Sequence, residues 1–205
     1  MYILLAHGSS DSRHVEQVKS LARNVSGLLG EEIAPAFLGD RALPEGATVL
    51  PLFLGQGKHV REDIPALVTA SGCRLLPSLD HHADAIADMV ISQMTKETRR
   101  ISALFVLYRF AGFEKLASAL YGRVKTCSKH ALASLHSEPS VHTVLRHWQQ
   151  EDVKAISLQP MLLFEGKSMD RLRAMTESFD ISVAPVLSEY DGFAAWIADC
   201  LKEKA

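Results

Sequence analysis

Short apolar runs alternate along the chain with longer stretches in which apolar residues recur every three or four positions. Apolar runs of about four to eight residues are typical of buried strands, whereas the longer periodicity is typical of amphipathic helices. The first run covers residues 3–6, and the stretch that follows it, 13–29, has apolar residues at helical spacing: Val15, Val18, Leu21, Val25 and Leu28. Strands that alternate with helices predict right-handed crossovers and parallel sheets, so the pattern predicts an α/β fold.

This periodicity predicts strands and helices over the whole length of the chain. The predicted strands cover residues 3–6, 33–38, 48–54, 74–79, 103–107, 131–135, 155–163 and 181–186. The predicted helices cover residues 13–29, 61–70, 83–94, 113–124, 141–150, 168–179 and 192–202. A polar run at 95–100 separates the first four strands from the last four, and it places the expected boundary between two domains, 1–97 and 98–205.

The second half of the chain repeats the first. Residues 51–58 (PLFLGQGK) align with residues 160–167 (PMLLFEGK) at an offset of 109, and residues 75–79 align with 183–187 at 108. The first strands align at 101, which predicts that the first half is eight residues shorter between its second and third strands. We therefore expect two similar flavodoxin-like halves, each a parallel sheet flanked by helices, with a cleft between them.

Two histidines follow neighbouring strands of the predicted first sheet. His7 comes directly after the first strand and His59 comes shortly after the third. In an open parallel sheet, ligands bind outside the carboxyl ends of the strands, and the first and third strands flank the switch point of the flavodoxin-like order. Imidazole is the commonest metal ligand and also a proton acceptor near neutral pH, so the pair is predicted to share a metal ion or a proton. The alternative is that each histidine only caps its turn. Asp63, four residues after His59, is assigned to the start of the following helix.

Residues beside the two histidines provide groups that suit an anionic ligand. Gly8 and Ser9 combine a permissive backbone with hydroxyl and amide donors. Gly57 lets a ligand approach the backbone closely, and Lys58 and Arg61 offer cations to carboxylates or phosphates.

The second half lacks both histidines. Tyr108 corresponds to His7 and Ser168 to His59, so we expect one site per chain, lined by the first half and roofed by the second. Three residues are weaker candidates: Tyr108 itself, Glu165 as a proton acceptor, and His81 as a further ligand at the end of the fourth strand. The other histidines have no ligand spacing and are assigned surface or cap roles: His14, His130, His136, His142 and His147.

Composition and missing motifs narrow the possible partners. The net charge of −2 without a basic cluster argues against nucleic acid and anionic membrane as partners. No apolar run approaches the ~20 residues of a membrane span, and the N-terminal run lacks the features of a signal peptide. Three isolated cysteines without a CxxC motif favour a reducing cytoplasm. Nucleotide-phosphate loops, the dinucleotide fingerprint and the Gly-x-Ser-x-Gly elbow are absent from the sequence.

Residues 51–65 read PLFLGQGKHVREDIP, and the first strand runs into His-Gly-Ser at 7–9. These segments resemble the class II chelatases of the CbiX type, the sirohydrochlorin cobalto- and ferrochelatases of cobalamin and sirohaem synthesis. That family has a strand running into His-Gly-Ser-Arg and a Pro-Leu-Phe-Leu-x-x-Gly-x-His-Val-x-x-Asp-Ile-Pro segment. Ser10 replaces the arginine of the first motif, and Arg13 is the candidate to substitute for it.

The resemblance implies insertion of a divalent metal, Co²⁺ or Fe²⁺, into an acidic tetrapyrrole without ATP or an organic cofactor. It implies that His7 and His59 hold the metal and accept pyrrole N–H protons, and that the carboxylates are met by the neighbouring residues Gly8, Ser9, Ser10, Gly57, Lys58 and Arg61. The expected assembly is a monomer or homodimer.

Two alternatives stay open. Ser10 and the histidine-free second half favour a non-catalytic carrier or sensor of metal or tetrapyrrole. A phosphate-handling hydrolase with His7 as nucleophile resembles the histidine phosphatases, but these need an arginine before His-Gly where this chain has Ala6.

Overall fold

The computed structural model describes residues 1–96, 102–124 and 127–202. The strands are β1 (Tyr2–Ala6), β2 (Ile33–Phe37), β3 (Thr48–Pro51), β4 (Arg74–Leu75), β5 (Ser102–Leu107), β6 (Lys129–Ser134), β7 (Ile156–Pro160) and β8 (Ser182–Val183). The helices are α1 (Ser12–Leu29), α2 (Ile64–Ala70), α3 (Ala83–Lys96), α4 (Glu114–Tyr121), α5 (Val141–Gln150), α6 (Lys167–Thr176) and α7 (Phe193–Lys202). The α/β class is confirmed.

The strands form two parallel sheets with the same topology, β2-β1-β3-β4 and β6-β5-β7-β8. Their register is also the same: the Leu52 N–H donates to Leu5 O at 2.8 Å, and the equivalent Met161 N–H donates to Val106 O at 2.8 Å. β1 and β5 lie inside their sheets, and nearly all of their residues are buried. Apolar strands of this kind are typical of parallel sheets covered on both faces.

The predicted eight-residue difference between the second and third strands is wrong in its size, because it is the net of two differences. Ala6 pairs with Phe37 and Leu107 pairs with Ser134, so the first strands are offset by 101 residues but the second strands by 97. The first half is therefore four residues longer between its first two strands, where α1 has 18 residues and α4 only eight. Because the third strands are offset by 109, the first half is then twelve residues shorter in the next connection, where α5 has no counterpart.

The edge strands β4 and β8 are shorter than predicted, with two residues each. Both predicted strands contain a proline further along, Pro77 and Pro185. Proline has no N–H to donate to a neighbouring strand, so ladder pairing does not extend through these positions. The same truncation in both sheets follows from the repeat.

The chain divides into two compact units. The first unit comprises Met1–His81 together with the chain from Ser188, and the second comprises His82–Leu187. Each unit contains one sheet, but α3 belongs to the second unit, where it packs on α4, and α7 belongs to the first, where it packs on α1. The units thus differ from the predicted domains 1–97 and 98–205 in one helix each, and the predicted boundary itself lies outside the described residues.

The helices are amphipathic or short. α1 buries Val18, Leu21, Ala22 and Val25 along one side and exposes polar residues along the other. In the part of the chain that the structure describes, no helix has both the length and the apolarity needed to cross a bilayer.

Candidate metal-binding site

His7 and His59 converge at the carboxyl edge of the first sheet. The strands that precede them are neighbours, because Leu5 of β1 pairs with Pro51 of β3. The two Nε2 atoms lie 3.2 Å apart, and the imidazole rings meet edge to face at 73° with centroids 4.8 Å apart. Both side chains are solvent-accessible, and 45% of the His59 side chain is exposed. The predicted pair is therefore formed and accessible to a ligand.

Hydrogen bonds fix which nitrogen of each ring carries the proton. His7 Nδ1 lies 3.0 Å from the carbonyl oxygen of Gly8, and His59 Nδ1 lies 2.6 Å from Oδ2 of Asp63. A carbonyl or a carboxylate accepts hydrogen bonds only, so each Nδ1 is the donor. In a neutral imidazole the other nitrogen then has a lone pair. Two lone pairs 3.2 Å apart repel each other unless a proton or a metal cation lies between them.

The spacing of the two Nε2 atoms suits a metal ion. First-row ions such as zinc bind imidazole nitrogen at about 2.0–2.1 Å, so two nitrogens in a tetrahedral arrangement lie about 3.3 Å apart. The observed 3.2 Å is close to this value. Two imidazoles occupy two positions of such an ion, and the other positions stay available to water or to an incoming ligand. Among the described residues there is no group of three or more His, Cys, Asp or Glu side chains placed to hold a metal.

Asp63 orients His59, whereas its position in the sequence predicted a role at the start of the following helix. The two residues belong to one turn of π-helix, His59–Asp63. The Ile64 N–H closes this turn by donating to the carbonyl of His59, five residues earlier. Metal-binding histidines commonly donate their other N–H to a carboxylate, which fixes the ring and raises its basicity. The four-residue spacing in the sequence was the available signal, since positions i and i+4 share a helix face.

Gly8 holds the other histidine. Its φ of 87° lies in the left-handed region, and its carbonyl accepts the hydrogen bond from His7. A Cβ added at Gly8 would lie 3.4 Å from Cβ of Phe37, so a side chain there meets both backbone strain and a close neighbour.

Replacing Gly8 with alanine is expected to lower the free energy of unfolding by about 1–3 kcal/mol and to weaken metal binding, because the strained turn displaces the Gly8 carbonyl. Gly27 in α1 is the matched control, since a Cβ added there meets no atom within 4 Å. Gly27→Ala is expected to stabilise by about 0.5–1 kcal/mol. Denaturant titration and Co²⁺ calorimetry measure both effects, and a Gly8→Ala protein as stable as Gly27→Ala would contradict the expectation.

Other predicted binding residues surround the pair. Lys58 and Arg61 are exposed, and within the described residues neither forms an ion pair with a carboxylate. Ser9 accepts a hydrogen bond from the Asp11 N–H at 3.0 Å. Arg13 donates twice to the Asp11 carboxylate, through Nε at 3.1 Å and Nη2 at 2.7 Å, so its charge is already paired. Ser10 and Gly57 are exposed, and a Cβ at Gly57 would meet no atom within 4 Å.

The loop that leads to His59 is tied to a buried carboxylate. Asp80 is only 2% exposed and accepts hydrogen bonds from Gln56 Nε2 at 2.7 Å and from the Ser78 hydroxyl. His81, the weaker ligand candidate, has its Nδ1 3.3 Å from Asp80. Gln56 lies three residues before His59, so the hydrogen bond to Asp80 helps to fix the path of the chain into the site.

His14 also interacts electrostatically with His7, although the sequence predicted only a surface or cap role for it. It lies in the first turn of α1. Burial lowers the pKa of His14 below its ordinary value, the charge of His7 lowers it further, and Asp11 opposes the shift. Because the ordinary value is near 6.5, His14 is mainly uncharged at neutral pH.

The second unit has different chemistry at the repeated positions. Tyr108 directly follows β5, as His7 follows β1, and its ring lies 4.5 Å from the ring of His136. Glu165 forms a bidentate ion pair with Arg173, with distances of 2.8 and 2.6 Å. The Glu165 carboxylate, predicted as a possible proton acceptor, therefore has its charge compensated within its own unit.

Comparison with known proteins identifies the family. The CbiX family model matches residues 1–104 and 109–204. The chain belongs to the CbiX family. This confirms the resemblance that residues 51–65 indicated. No curated protein matches the chain.

Solved structures show the same fold as this CbiX-family chain. The CbiX described as the terminal enzyme for biosynthesis of siroheme in denitrifying bacteria is 20% identical, with a TM-score of 0.76 over 98% of this chain and 97% of that one. SirB from Bacillus subtilis with Fe³⁺ is 12% identical, with a TM-score of 0.75 over 98% and 94%. The multi-domain DR2241 from Deinococcus radiodurans, similar to chelatases, is 19% identical, with a TM-score of 0.71 over 98% of this chain and 55% of that one.

Proposed function

We propose that this protein inserts a divalent metal ion into an acidic tetrapyrrole of the sirohydrochlorin type. The observation that carries the proposal is the 3.2 Å separation of two Nε2 atoms whose partner nitrogens both act as donors. This arrangement binds a cation but completes only part of its coordination sphere. A metal held in this way can exchange water for the nitrogens of an incoming macrocycle.

The pair also accounts for the protons of the reaction. When a divalent metal enters a free-base tetrapyrrole, the two pyrrole N–H groups lose their protons as the metal–nitrogen bonds form. Transfer of the metal to the ring frees the lone pairs of His7 and His59. The pair accepts the two protons one after the other and releases each to solvent, so the step balances without ATP or an organic cofactor.

Two cationic side chains close to the histidine pair are proposed to bind the carboxylates of the substrate. Lys58 and Arg61 are exposed. Lys58 lies just before the turn that carries His59, and Arg61 lies within it. Gly8, Ser9, Ser10 and Gly57 offer hydroxyl and backbone groups beside them, with no side chain at Gly57 to hinder approach. Since Arg13 is paired with Asp11, we assign the charged contacts to Lys58 and Arg61.

The proposed metal substrate is Co²⁺ or Fe²⁺. Imidazole binds either ion, and intrinsic affinity does not settle selectivity in the cell. The similar Bacillus subtilis chelatases were solved with Fe³⁺ and with cobalt. The proposed pathway is accordingly cobalamin or sirohaem biosynthesis.

The deciding experiment follows the absorbance of sirohydrochlorin under anaerobic conditions with Co²⁺ or Fe²⁺. The protein is expected to accelerate metal insertion over buffer and to turn over more than once per chain. Tight binding of metal or tetrapyrrole without acceleration would instead favour the carrier or sensor, which Ser10 in place of the family arginine suggests.

A further inference from the structure

A cluster of four side chains lies at the carboxyl edge of the second sheet. Tyr108 and Arg109 directly follow β5, His136 follows β6, and Arg171 lies in α6. The guanidinium of Arg109 lies over the Tyr108 ring at 5.2 Å, and the rings of Tyr108 and His136 are 4.5 Å apart. Arg171 Nη1 lies 3.4 Å from Nδ1 of His136. We call these four residues the edge cluster.

Among the described residues, no carboxylate forms an ion pair with the two guanidiniums of the edge cluster. In the described part of the chain, neither Arg109 nor Arg171 forms an ion pair, whereas Arg123 and Arg173 of the same unit pair with carboxylates. His136 does not compensate them, because Nδ1 faces a guanidinium, which can only donate. Burial lowers the pKa of His136, and the charges of Arg171 and Arg109 lower it further, which disfavours a third positive charge in the cluster.

Partly buried hydrogen bonds link the two loops that carry Tyr108, Arg109 and His136. Ser134 is fully buried, and its hydroxyl oxygen accepts from the N–H groups of His136 at 3.0 Å and Ser137 at 2.8 Å. Ser134 also donates to the carbonyl of Tyr108 at 3.3 Å, which links the loops after β5 and β6. The Phe110 N–H donates to Ser137 at 3.4 Å and adds a second link. The loops after β5 and β6 are thus fixed to each other by hydrogen bonds.

The position of the edge cluster also points to a ligand. β5 lies between β6 and β7, so Tyr108 follows the strand at the switch point of the second sheet, as His7 does in the first. Ligands of open parallel sheets bind at this edge. Where the first unit has metal-binding imidazoles, the second has guanidiniums, whose planar forks suit carboxylates.

We propose that the edge cluster is an anion site in which Arg109 and Arg171 bind the carboxylate groups of an acidic tetrapyrrole. The identity of this ligand rests on the function proposed above. Tyr108 and His136 act as positioning residues, because Tyr108 supports the Arg109 guanidinium by a cation–π contact and His136 accepts from Arg171.

The test measures binding of uroporphyrin I, a metal-free octacarboxylate porphyrin, by fluorescence quenching. Arg109→Gln and Arg171→Gln are each expected to raise Kd about fivefold, as for an exposed ion pair, and the double variant more than either alone. Lysine at both positions keeps the charge but not the planar fork, so it is expected to restore only part of the affinity. Arg146→Gln is the matched control, since Arg146 is an exposed arginine of the same unit that contacts His142.

The two proposals fail in different ways. A Kd for Arg109→Gln and Arg171→Gln that matches Arg146→Gln, with unchanged melting temperatures, would overturn the anion site whatever the insertion rate. The same titration in a protein carrying His7→Ala and His59→Ala separates the roles, because porphyrin binding is expected to stay sensitive to both arginines there. Porphyrin binding that depends on both arginines, in a protein that gives no metal insertion over buffer, would count against the proposed function and leave the anion site standing.

Discussion

Replacing His7 or His59 with alanine is expected to lower the rate of metal insertion by about 10²–10⁴-fold, the range for loss of a general acid or base. Each substitution leaves a single Nε2 lone pair, which neither holds the metal in the paired geometry nor accepts the second pyrrole proton. The two histidines act as a unit, so the double variant is expected to lose little more than either single variant. Absorbance of the metallated product measures all three rates.

His147→Ala is the matched control for these substitutions. His147 lies on α5 with 66% of its side chain exposed, so its removal deletes an imidazole without changing the metal pair. Its insertion rate is expected to equal that of the unmodified chain. Full activity in both His7→Ala and His59→Ala would show that the pair is not the catalytic centre.

Replacing Asp63 is expected to have the second-largest effect, a loss of about 10–100-fold in metal affinity or insertion rate. Asp63→Ala removes the acceptor that holds the His59 Nδ1 proton, which frees the ring to rotate and to change tautomer. Asp63→Asn keeps an acceptor oxygen but removes the negative charge, so a smaller loss is expected. Glu62→Gln, in the same turn, is the control because it removes a charge without a contact to His59.

Nitrogen-15 NMR of the imidazoles distinguishes positioning from a general loss of structure. In the unmodified chain the His59 proton is expected on Nδ1, and in Asp63→Ala it is expected to distribute between both nitrogens. The apparent Kd for Co²⁺ is expected to rise in parallel. An unchanged His59 spectrum together with an unchanged insertion rate would rule out the role assigned to Asp63.

Local sequence features predicted most of the first-unit site. His7 and His59 follow apolar runs that form adjacent parallel strands, and the carboxyl ends of such strands share one edge of the sheet. The contact between Asp63 and His59 was also predictable, because their four-residue spacing places both on one helical turn. The sequence pattern placed Asp63 at the helix start instead, because an acidic residue just before Ile64 and Pro65 more commonly serves to begin a helix.

Contacts between distant segments were beyond the sequence pattern. The edge cluster joins residues that follow β5 and β6 to a residue of α6, and periodicity contains no information about that meeting. The same holds for the bond between Gln56 and Asp80, which are 24 positions apart. The misplaced length difference also belongs here, because only the strand register shows that α1 is the longer helix in its connection.

Local patterns in the chain predict the α/β class, the repeat, the family and the pairing of His7 with His59, because periodicity and short motifs depend only on neighbouring residues. The tertiary structure decided which unit α3 and α7 join, which nitrogen of each imidazole has the lone pair, and which arginines lack a carboxylate. These features depend on hydrogen bonds and packing between residues that the chain brings together only when it folds, and the proposed metal chemistry rests on them.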